Sequence, residues 1–192
     1  MANRATRIIG GTETEVHEYP WQVGIVFNFV SVFNETPVCG GSIISSQHIL
    51  TAAHCIQFCP LDFCKLNTTQ IQVSVGEHNT TDSVLDLRTI SKITMHPGYN
   101  PFNAFNDIAI LTLSSPLKFS KSMAPICLPE GTSDKFAGDT ATVIGWGLTN
   151  TDGFGAGNLS STLQEVDLTV TTNKQCRKSY SDLPVEPWPI EK

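Results

Sequence analysis

His54 stands in the string TAAHC, between small residues and a cysteine, and Asp107 opens the apolar run DIAILTL. A carboxylate at the mouth of a hydrophobic strand is costly unless it meets a partner. An imidazole can be that partner. An aspartate that accepts one ring N–H orients the ring and stabilises the imidazolium, leaving the other nitrogen free to act as general base on a hydroxyl. That chemistry needs a firmly held histidine. Cys55 can reach back to Cys39, and a bridge closing that loop would restrict the unfolded chain by about 3 kcal/mol and fix the histidine backbone. The rival reading is a zinc site from His54, Cys55, Cys59 and Cys64, but the absence of paired C-x-x-C knuckles makes the spacing poor for a tetrahedral structural site. His17, His48, His78 and His96 sit in no supporting motif and read as surface or packing residues.

The elements that would position this pair are strands. Only 16% of the 192 residues are charged, against about a quarter in ordinary soluble domains, and 14 Gly and 11 Pro supply many turns. Period-two alternation recurs: IQVSV puts Ile71, Val73 and Val75 on one face, and VDLTV does the same for Val166, Leu168 and Val170. QVGIVFNFV, GGSIIS, DIAILTL and ATVIGWG are further strand-like runs bounded by turn residues, and no βα alternation appears. The spacing predicts two β-units of barrel or sandwich type, divided by the turn-rich stretch from Ser115 to Asp139. The terminal SDLPVEPWPIEK, with three prolines, reads as an extended loop.

A net charge of -6 and a pI near 5.2 argue against nucleic acid and anionic membrane surfaces as partners, and no apolar run is long enough to span a bilayer. Six cysteines and four N-x-S/T sequons, at Asn34, Asn67, Asn79 and Asn158, together favour an oxidising, secretory compartment. MANRATR has no apolar signal-peptide core, so the expectation is a secreted protein whose start has been trimmed.

Taken in order, RIIGG, YPWQVGI, CGGSIIS with ILTAAHC, NDIAILTL, APICLP, ATVIGWG and TLQEVDLTV resemble the trypsin- and chymotrypsin-like serine proteases, from Arg7 to about Tyr180. The resemblance implies an all-β double Greek-key barrel. It places a propeptide remnant at 1–7 and a peptidase domain at 8–192, with a first barrel at about 20–115, a linker at about 116–138 and a partial second barrel at about 139–192. It implies His54 as general base, Asp107 as its orienting carboxylate and activation of a zymogen by cleavage between Arg7 and Ile8. The family's nucleophilic serine sits in a GDSGGP block, and that string is absent from the 192 residues. Ser42 in CGGS belongs to the histidine block and reads as structural.

The expectation is therefore a chain truncated before the catalytic serine, with an incomplete second barrel and no hydrolytic activity by itself. The alternative is a non-catalytic binding or decoy protein, against which stand the unpaired strand edges of an unclosed barrel. Protein or peptide substrates, an activating protease and protease inhibitors are the implied partners. By the same resemblance, Cys127 and Cys176 lack their pairing partners within the chain. Cys59 and Cys64 could staple a hairpin within the fifteen-residue stretch Ile56 to Gln70, a loop expected to overhang the cleft beside His54 and narrow substrate choice. No cofactor is required. Calcium is a weaker possibility, with Glu77, Asp82 and Asp86 as oxygen donors.

Overall fold

The computed structural model describes residues 11–28, 37–57, 61, 64–81, 84–130, 136–148 and 159–180. The sequence's alternating runs become strands. They are β1 (Thr12–Glu13), β2 (Gln22–Phe27), β3 (Cys39–Ile43), β4 (His48–Thr51), β5 (Ile71–Val75), β6 (Leu87–Met95), β7 (Ala109–Leu113), β8 (Thr140–Gly145) and β9 (Gln164–Thr169). An α-helix, α1 (Asn173–Tyr180), follows. Strands β2 to β7 close into an antiparallel barrel in the order β2-β3-β4-β7-β6-β5, and β1, β9 and β8 form a second, three-stranded antiparallel sheet. Among the described residues the fold is built mainly of β-strands, as the alternation predicts.

The barrel closes because every strand offers one apolar face to the interior. Val23 and Ile25 on β2, Ile71, Val73 and Val75 on β5, and Leu111 and Leu113 on β7 are almost completely buried. Each such side chain contributes about 1.5–3 kcal/mol by leaving water. Between Val23 and Ile25, Gly24 is where neighbouring groups come closest: a Cβ there would stand 2.6 Å from Pro37 Cγ and 2.6 Å from Ser74 Oγ. Glycine is required by that approach.

Two elements differ from the sequence expectation. β6 carries no clean strand signal in the sequence, because its register shifts between Ile90 and Lys92 and breaks the period-two pattern in LRTISKITM. Helix α1 carries a capping box that single-minded strand reading overlooks: Gln175 N–H donates to Thr172 Oγ1 at 3.2 Å, and Thr172 N–H to Gln175 Oε1 at 3.0 Å. Across β8 and β9, Ala141 pairs with Leu168 and Val143 with Val166, so the expected apolar face exists. Its Val143 and Leu168 are exposed, and Val170 lies beyond the end of β9.

Candidate active site

The register of β4 and β7 brings the pair together. Thr51 lies opposite Ala109, so the chain leaving β4 and the chain entering β7 meet at one end of the barrel. His54 sits three residues past that point and Asp107 two before it. After Thr51, whose hydroxyl donates to Gly40 O at 2.8 Å, Ala52 is extended and the chain tightens into a 3-10 turn, Ala53–Cys55. Ala53 is wholly buried, which accounts for a small residue there. Its carbonyl accepts from both Ile56 N–H and Gln57 N–H at 2.9 Å. The Cys39–Cys55 disulfide, with a Cα–Cα distance of 6.2 Å, ties the turn to β3.

Asp107 grips His54 at two points. Its Oδ1 accepts the backbone N–H of His54 at 2.8 Å and its Oδ2 faces ring Nδ1 at 2.7 Å. Donation by Nδ1–H to the carboxylate leaves the Nε2 lone pair free in the neutral ring. The imidazole is 59% exposed and its carboxylate 25%, so the ring is open to an incoming group while its anchor is sheltered. Nε2 lies 3.6 Å from Cys55 Sγ, and among the described residues no serine hydroxyl is hydrogen-bonded to it. Ser42 is embedded in β3, opposite Gln22 and Leu50.

Positioning residues that the motif reading missed lie just before Asp107. Ala104 and Asn106 adopt left-handed φ values of 54° and 55°, and Asn106 Nδ2 donates to Gly98 O at 2.9 Å. The Asn-rich string NPFNAFND was the available signal, since asparagine tolerates that region and caps turns. Tyr99 donates its hydroxyl to Gln57 O at 3.1 Å, and burial together with the charge of Asp107 raises its pKa.

A cavity of about 260 Å³ separates the barrel, at Gln22, Cys39 and Gly40, from Trp146 and Leu159 on the second sheet's side. The loop after β5 links the two parts. His78 O accepts from Trp146 Nε1 at 3.1 Å and from Leu163 N–H at 2.8 Å, Thr80 N–H donates to Ser161 O at 2.8 Å, and His78 Nε2 meets Glu13 Oε1 at 3.1 Å.

The model of the trypsin family matches residues 8–186. This chain belongs to the trypsin family. Relatives of this trypsin-family chain include a venom serine protease of Polistes dominula, 37% identical over 180 residues, covering 91% of this chain and 60% of that protein. Venom serine protease 34 of Apis mellifera is 36% identical, covering 94% and 43%, and the clotting factor G beta subunit of Tachypleus tridentatus is 35% identical, covering 93% and 55%. The chain thus spans about half the length of the curated relatives it matches.

The remaining sequence candidates of the trypsin-family chain divide by location. Arg7, Ile8, Asn34, Cys59, Asp82 and Asn158 lie outside the described residues. Cys64 is buried and disulfide-bonded, and Cys55 is committed to Cys39, so these sulfurs are not free thiolates for zinc. Cys127 and Cys176 are free thiols, the first exposed and the second half-buried. Asn67 and Asn79 each fold into an Asx turn, with Oδ1 accepting the backbone N–H and hydroxyl of the threonine two residues on. Of the other two calcium candidates, Glu77 Oε1 accepts Asp86 N–H at 2.9 Å, and Asp86 Oδ2 pairs with the Arg88 guanidinium at 2.6 Å. Among the described residues no helix is long and apolar enough to cross a membrane.

Proposed function

We propose that this trypsin-family chain is the base-bearing part of a secreted serine endopeptidase, made as a zymogen cleaved between Arg7 and Ile8. The observation that supports it is the two-point grip of Asp107 on His54, which holds the ring with Nε2 free. In the proposed reaction Nε2 takes the proton of a serine hydroxyl as its oxygen attacks a peptide carbonyl. The imidazolium, stabilised by Asp107, then protonates the leaving amine, and water hydrolyses the acyl-enzyme by the same route. Protein substrates suit this chemistry, with an activating protease and inhibitors as further partners. Cysteine usage and sequons favour a secreted glycoprotein.

No GDSGGP block occurs in the 192 residues, and residues 1–192 by themselves are proposed to be inactive. Purified 1–192 is expected to leave a chromogenic ester intact. The same chain joined to a segment carrying that block is expected to hydrolyse it, with the activity lost in His54→Ala. Ester turnover by 1–192 that disappears in His54→Ala would overturn the inactivity, and a joined chain still active after His54→Ala would overturn the role of the base.

A further inference from the structure

The Asn-x-Ser/Thr sequons are not equal in the folded chain. At Asn67, Oδ1 accepts the backbone N–H of Thr69 at 2.9 Å and its hydroxyl at 2.6 Å. At Asn79, Oδ1 accepts the backbone N–H of Thr81 at 3.0 Å and its hydroxyl at 2.8 Å. Two donors on one oxygen fix the rotation of the planar carboxamide. At both positions Nδ2, the other polar atom of that group, has no hydrogen-bond partner among the described residues. The Asn67 turn is held on each side: Asn67 N–H donates to Gln70 Oε1 at 3.0 Å, Gln70 N–H to Asn67 O at 3.1 Å and Asn28 Nδ2 to Thr69 O at 2.6 Å. Asn67, Thr69 and Thr81 are exposed, and Asn79 is half-buried. Ser160, the hydroxyl residue of Asn158-Leu159-Ser160, is the contrast, because it is buried and donates its hydroxyl to Thr162 O at 2.7 Å. We propose that Asn67 and Asn79, and not Asn158, carry N-linked oligosaccharides, one in the turn before β5 and one in the loop after it.

The inference rests on the secretory part of the proposed function, since this modification belongs to that compartment. Its co-reactant is a polyprenyl-diphosphate oligosaccharide. A bond forms between Asn Nδ2 and C1 of the sugar while the bond from C1 to the diphosphate oxygen breaks. The amide proton is lost, and the lipid diphosphate leaves with the electron pair. Each turn spans three residues, so it forms without the rest of the barrel and sets the threonine hydroxyl beside the carboxamide. The competing bond of Ser160 is just as local, reaching two residues on, and withdraws that hydroxyl's proton from Asn158 at the same stage. In the finished fold the sugar replaces one hydrogen of an Nδ2 that bonds to nothing else, so no protein hydrogen bond is lost.

The test is to express the 192-residue chain behind a cleavable leader in a eukaryotic secretory host and treat the product with an N-glycosidase that converts each modified asparagine to aspartate. Peptide mass mapping is expected to find aspartate at 67 and 79 and asparagine at 158. Asparagine retained at 67 or 79, or aspartate at 158, would overturn the proposal. Thr69→Val keeps the backbone N–H bond to Oδ1 and removes only the hydroxyl, so Asn67 is expected to stay unmodified in it while Asn79 remains modified. Modification of Asn67 in that variant would overturn the part given to the hydroxyl. Because the leader brings the chain to the glycosylating compartment whatever its natural address, a failure here counts against the turn geometry. The secretory reading fails separately, if the native protein is found only inside cells.

Discussion

Asp107 holds the backbone of His54 as well as its ring, so its loss should be felt by the fold and not only by chemistry. His54→Ala removes the Nδ1 contact but keeps the N–H donated to Oδ1. Asp107→Ala strands both groups, at about 1–3 kcal/mol for a fully buried donor and toward the low end here because the histidine is exposed. Urea unfolding is therefore expected to show a larger loss for Asp107→Ala than for His54→Ala, by about 1 kcal/mol. An equal or smaller loss would mean that the backbone contact contributes nothing to the turn. At this scale the pair itself was legible, because TAAHC and NDIAILTL are contiguous strings. Tyr99 was not, since its hydroxyl meets the carbonyl of a residue in another segment and no local pattern announces it.

At the scale of elements, β2 offers the sharpest test of packing. Gly24→Ala puts a methyl 2.6 Å from both Pro37 and Ser74 atoms, and overpacking of that kind costs about 1–3 kcal/mol. Gly147→Ala, where nothing lies within 4 Å, is the control and is expected to change stability by less than about 0.5 kcal/mol. Thermal unfolding followed by far-ultraviolet circular dichroism checks both, and a Gly24→Ala midpoint equal to that of Gly147→Ala would remove the steric argument. Strands with unbroken alternation, such as β5 and β7, could be read directly. β6 hid behind its bulge. Helix α1 was signalled by Thr172 and Gln175 three residues apart, a polar signature too short to outweigh the run of strands before it.

For the whole molecule, the contacts around His78 couple the closed barrel to the second sheet. Trp146→Phe keeps the aromatic bulk and removes only the Nε1–H donated to His78 O. Hydrogen exchange is expected to quicken at the amides of Leu163 and Thr80, which bond across the same junction, while Leu111 inside the barrel stays protected. A uniform increase that includes Leu111 would show that the barrel depends on this junction for its own stability, contrary to its closed set of strand pairings.

The amino-acid sequence by itself determined the all-β class, most strands, the inward faces of the barrel and the identity of the His54–Asp107 pair. Alternation and motif are local, set by which residues are chain neighbours. Only the tertiary structure decided that Thr51 aligns with Ala109, that Asp107 reaches the backbone as well as the ring, and that the Tyr99 hydroxyl meets the carbonyl of Gln57. These are meetings of residues distant along the chain, and they follow from the register in which the barrel closes. That register is chosen by simultaneous burial of six strands' apolar faces, a condition no single segment carries.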